Sequence, residues 1–74
     1  LGHDKEFIVN INLADKQELI KLSGIGPSLA SRILKKRQEI GKFNSVNELK
    51  LVKGIGDKII ERNLNNISIE ENNE

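Results

Sequence analysis

The chain has no cysteine, methionine, tryptophan or tyrosine, and only one proline and one histidine among 74 residues. Without cysteine there is no disulfide and no thiol chemistry, and the thiolate ligands of the common zinc sites are missing. The lone histidine, His3, stands in the first residues, so no Ser–His–Asp or similar nucleophile–base pair can be assembled. No apolar run approaches the roughly 18 residues that a bilayer-spanning helix requires, and no signal peptide is visible. With Phe7 and Phe43 the only aromatics, the core is expected to be built from Ile, Leu and Val. A chain of this size makes one domain and buries only about 60% of the surface that its unfolded form exposes.

Net charge is +1, but its distribution is uneven. Residues 15–42 carry seven Lys or Arg against three acids, whereas residues 67–74 carry three acids and no base. A basic middle between acidic ends is a footprint that could favour a polyanion, although from charge alone an ordinary solvated surface accounts for it slightly better. The start at Leu1 rather than Met leads us to expect that residues 1–6 are a tag or a disordered terminus. Residues 70–74 are expected to be an acidic, frayed tail. The domain is expected to occupy residues 7–69.

What the sequence does contain is a repeat. Gly24-Ile25-Gly26 recurs as Gly54-Ile55-Gly56 at a spacing of 30, and the surroundings recur with it. Asp15-Lys16-Gln17-Glu18 and Ser45-Val46-Asn47-Glu48 each spell a capping box. Leu19 and Leu22 then match Leu49 and Val52, and Leu29, Ala30 and Leu34 match Ile59, Ile60 and Leu64. Each unit, 15–34 and 45–64, thus reads as helix, tight turn, helix. Gly24 suits the left-handed end of the first helix, and Pro27 suits the first turn of the second. That second helix is expected from Pro27 to Ile40, with Gly41 as its stop and Arg32, Lys35, Lys36 and Arg37 on its polar side. The stretch from Phe7 to Leu13 and the stretch from Asn65 to Ile69 read as extended segments that meet and close the domain.

The turn has a chemical use. The first N–H groups of a helix have no partner within it, and the aligned peptide dipoles add partial positive charge there. Gly26 and Gly56 stand just before two such helices, with no side chain to hold a phosphate oxygen away. Ile25 and Ile55 are expected to turn inward as anchors. Contacts of this kind position a protein on nucleic acid without reading bases. A single Gly-x-Gly is explained by turn formation alone; two copies of the whole string are far more specific.

These segments resemble the helix-hairpin-helix motif. The preceding Val9-Asn10-Ile11-Asn12-Leu13-Ala14 is similar to the lead-in of the ComEA family, bacterial competence receptors for DNA. The resemblance implies an all-α fold, a tandem helix-hairpin-helix domain of SAM-like architecture. It implies non-catalytic, sequence-independent binding of double-stranded DNA, and delivery of that DNA towards an uptake machinery. It implies a membrane-anchored, extracytoplasmic location for the full-length protein. The expected DNA-binding residues are Gly24, Ile25, Gly26 and Ser28 at the first hairpin, and Lys53, Gly54, Ile55, Gly56 and Lys58 at the second. Asp57, where the first unit has Pro27, sets a negative charge beside the second hairpin. Arg32, Lys35, Lys36 and Arg62 are secondary candidates, better explained as a solvated helix face. No cofactor, metal or small-molecule substrate is expected, apart from the monovalent cation that hairpin carbonyls of this motif sometimes hold. The alternatives are a protein-interaction or scaffold module on the same fold, and the accessory DNA-binding part of a larger DNA-repair or processing enzyme.

Overall fold

A computed structural model describes residues 7–69, so the expected terminal segments 1–6 and 70–74 lie outside the described residues. The elements follow the repeat. Strand β1 (Val9–Asn10) leads into helix α1 (Lys16–Ile20), the 24–26 hairpin and helix α2 (Pro27–Ile40). A linker then leads to a 3-10 helix (Val46–Leu51), the 54–56 hairpin, helix α3 (Asp57–Asn63), a 3-10 turn (Leu64–Asn66) and strand β2 (Ile67–Ser68). The fold is all-α apart from one two-residue ribbon. In it β1 and β2 run parallel, with Val9 opposite Ile67 and Asn10 opposite Ser68, which joins the two extended segments as the sequence suggested.

The limits of α2 coincide with its punctuation: Pro27 at the first helical position and Gly41 as the cap after Ile40. Asp15 caps α1 by accepting the Glu18 amide at 2.9 Å, while the Glu18 carboxylate lies 3.5 Å from Lys21 Nζ. The second capping box departs from expectation. Ser45 makes no side-chain capping bond, and the element it precedes is 3-10 rather than α. Glu48 Oε1 instead accepts the amide of Asn44 at 2.8 Å.

The core repeats with the sequence. Leu19 and Leu49, Leu22 and Val52, Ile25 and Ile55, and Ala30 and Ile60 are all buried. Backbone bonds repeat too: Leu22 to Leu19 and Ile25 to Leu22 in the first unit, Val52 to Leu49 and Ile55 to Val52 in the second. Four positions correct the sequence reading. Phe43 is the largest fully buried side chain, so the core is not purely aliphatic. Leu64 and Ile40, expected on apolar faces, are exposed. Arg37 is not a free surface cation, since its Nη1 donates to the carbonyls of Ile11 and Ala14 at 2.9 and 2.8 Å.

The Val9–Ala14 lead-in is a staple. Asn10 Oδ1 accepts the Asn12 amide at 2.9 Å, forming a local Asx turn. Asn12 then pairs in both directions with the Phe43 backbone, accepting its amide at 2.7 Å and donating to its carbonyl at 2.9 Å. The side chain thereby acts as one more strand edge and holds the inter-unit linker against the start of the domain.

Candidate functional site

Each hairpin opens with a glycine that the fold requires. Gly24 and Gly54 have φ of 82° and 102°, a region that residues with a Cβ rarely adopt. They also lie against the partner unit. A Cβ built at Gly24 meets Ile59 Cγ1 and Arg62 Nη1, both at 3.5 Å, and one at Gly54 meets Leu29 Cδ2 at 2.8 Å and Arg32 Nη1 at 3.2 Å. Leu29 and Ile59 are equivalent in the repeat, as are Arg32 and Arg62. Each hairpin therefore sits on the second helix of the other unit, close to that helix's own start. The two hairpins are neighbours, related by an approximate two-fold exchange.

Hydrogen bonds fix this seating. Arg32 Nη1 donates to the Lys53 carbonyl at 2.9 Å, which ties α2 to the second hairpin. Asn63 ties α3 to the first: its Oδ1 accepts the Ser23 amide at 2.8 Å, and its Nδ2 donates to the carbonyls of Ser23 and Ile59 at 2.9 Å. Asn63 is 2% exposed and occupies the place that Ile33 holds in the first unit. Sequence reasoning passed over it. The signal was there, a polar residue at a position where the repeat has a buried isoleucine.

Gly26 and Gly56 are different. Their φ values, −100° and −120°, are open to any residue, and each caps a helix without a side-chain bond. A Cβ built at either meets nothing within 4 Å. Neither conformation nor packing explains why both positions are glycine.

Ile25 and Ile55 are buried anchors, as the sequence suggested. Their amides, however, donate inward, to Leu22 at 3.1 Å and Val52 at 3.0 Å, and so are not available to a ligand. The next amides along the chain differ: Gly26, Ser28 and Leu29 at the first hairpin, and Gly56, Asp57, Lys58 and Ile59 at the second. Among the described residues none of these donates to a carbonyl in the chain. The Ser28, Lys53 and Lys58 side chains are exposed around them. The Asp57 carboxylate, expected to repel an anion, is engaged by Lys50 Nζ at 2.7 Å. Arg32 and Arg62 sit at the hairpin edges, exposed on their helices.

Comparison with known proteins agrees with this architecture. Residues 4–68 match the family model described as the helix-hairpin-helix motif. The chain is 40% identical to ComE operon protein 1 of Bacillus subtilis over 88% of its own length and 32% of that protein. It is 36% identical to the uncharacterized protein YdcI of the same organism, over 89% of this chain and 9% of the relative. It is also 39% identical to endonuclease/exonuclease/phosphatase family domain-containing protein 1 of Xenopus laevis, over 73% of this chain and 10% of the relative. The chain thus spans a third or less of these curated relatives. With two crossed hairpin units and the stapled lead-in, the chain belongs to the helix-hairpin-helix family, as a domain of the ComEA type.

Proposed function

We propose that the chain is a non-catalytic module that binds the phosphate backbone of double-stranded DNA without sequence preference. The observation that carries this reading is the pair Gly26 and Gly56. The fold demands glycine at Gly24 and Gly54 but not at these two, which stand at open surface in front of unpaired amides. Missing side chains at such points allow close approach of another molecule's backbone. Hydrogen bonds to phosphate oxygens from main-chain amides carry no base information, and the exposed Lys53 and Lys58 add charge without adding selectivity.

The test is titration of random-sequence duplex at several salt concentrations. Contacts to about four phosphates give a log–log slope near −4. Gly26→Val combined with Gly56→Val is expected to weaken binding about tenfold or more while the helices persist by circular dichroism, since two tightly seated phosphates lose their contacts. Unchanged affinity in the folded double variant removes the hairpins from the mechanism. Absence of binding at low salt favours a protein-interaction module instead.

We further place the domain in a DNA-uptake receptor, in keeping with the relative named for the ComE operon. In that setting the full-length protein is membrane-anchored and extracytoplasmic, and its partner is the uptake machinery. Protease accessibility of the full-length protein on intact cells tests the location. The second reading, an accessory part of a DNA-processing enzyme, draws on the relative named for an endonuclease/exonuclease/phosphatase domain. Sequencing of the gene around this segment distinguishes the two.

A further inference from the structure

The crossed seating has an electrostatic result that the repeat alone hides. The basic side of α2 belongs to the first unit in sequence but lies beside the second hairpin in space. Arg32, Lys35 and Lys36 of α2 line one open groove together with Lys53, over a floor that includes Leu51. The one carboxylate in that groove, Glu39, lies 3.2 Å from Lys36 Nζ. Arg32 uses one donor on the Lys53 carbonyl, which fixes its guanidinium at the hairpin edge without removing its charge. Lys53 directly precedes Gly54, so the groove is continuous with the hairpin.

On the other half, the groove along α3 is lined by Lys58, Glu61 and Arg62, two cations beside one acid. Shifted by 30 residues, Arg32 finds Arg62, but Lys35 and Lys36 find Asn65 and Asn66, and Lys53 finds Ser23. Four cations against one acid on one side correspond to one cation and three neutral residues on the other.

We propose that this groove is a second phosphate-contact surface, and that the chain grips a DNA duplex asymmetrically. The 54–56 hairpin and the α2 groove follow one strand over several phosphates, while the 24–26 hairpin makes a shorter contact. The proposal rests on the DNA-binding reading above and adds which side dominates and which residues extend it. Lysine and arginine side chains along a phosphate track act through charge and counterion release, so each is read directly by the salt dependence.

The test uses the 74-residue chain and random-sequence duplex. Lys35→Gln with Lys36→Gln is expected to lower the magnitude of the log–log salt slope by about 1 to 2, and to weaken binding roughly tenfold per lost contact at 0.1 M salt. Glu39→Gln is expected to strengthen binding, because it removes the acid from the groove. Glu18→Gln is the matched control: it also breaks a lysine pair one turn apart, but beside Ile8 and Leu13 on another surface. It is expected to leave affinity nearly unchanged.

Two results overturn the groove while leaving the DNA-binding reading intact. One is a lysine double variant with the slope of the unsubstituted chain, when the hairpin variant Gly26→Val/Gly56→Val is still weakened. The other is equal gains from Glu39→Gln and Glu18→Gln, which would report net charge rather than a local contact. If the unsubstituted chain binds no duplex at all, both the reading and the proposal fall.

Discussion

At Gly54 the backbone has φ 102° and a Cβ would stand 2.8 Å from Leu29 Cδ2, whereas at Gly56, two residues on, φ is −120° and the same atom would meet open space. One replacement at both sites separates structural from functional need. Gly54→Ser is expected to cost about 2 kcal/mol, from a left-handed backbone in a residue with a Cβ and from displacement of Leu29. Gly56→Ser is expected to hold or slightly raise stability, since serine is a better helix N-cap than glycine by a few tenths of a kcal/mol. Urea midpoints of the two variants check this, and equal losses would show that Gly56 also serves the fold. Residues of the hairpin were legible in the sequence because the repeat named them. Asn63, Phe43 and Arg37 were not, because their partners lie far along the chain: Asn63 reaches Ser23, Phe43 reaches Asn12 and Arg37 reaches Ile11. No local pattern reports contacts of that separation. A buried asparagine also reads as a surface residue until its three hydrogen bonds are seen.

Among the elements, those with punctuation at both ends were legible and those without were not. Helix α2 starts at a proline and stops at a glycine, and both limits were read correctly. The two capping boxes look alike in sequence, yet only Asp15 caps. The following residues account for the difference. Lys16 and Gln17 are good helix formers, whereas Val46 and Asn47 are poorer ones, and the second segment settles into 3-10 geometry with the Glu48 amide on the Ser45 carbonyl at 3.1 Å. Asp15→Ala is therefore expected to cost about 1 kcal/mol. Ser45→Ala is expected to change stability by less than about 0.5 kcal/mol, because no capping bond is lost. Parallel thermal or urea melts decide it; similar losses in both variants would mean that Ser45 caps in solution.

At the scale of the whole molecule the two units are exchanged rather than stacked. The first hairpin rests on Ile59 and Arg62 and is tied by Asn63, the second rests on Leu29 and is tied by Arg32, and the lead-in is held by the Phe43 backbone. The ends are joined by β1 and β2. A fragment ending at residue 42 retains a complete first unit in sequence but loses Ile59, Asn63, Phe43 and strand β2. Its hairpin would be left without a seat and its apolar side exposed, and chains of about 40 residues or fewer seldom stabilise a core without a staple. Such a fragment is expected to show a coil-like circular dichroism spectrum and no cooperative melt, and mixing it with residues 43–69 is expected to restore helix. For the same reason the full chain is expected to unfold as one unit, since each hairpin rests on the other unit's helix. A fragment that is helical and melts cooperatively by itself would show that each unit holds its own hairpin. The placement of α2's basic side beside the second hairpin would then be a docking detail rather than a consequence of how the domain folds.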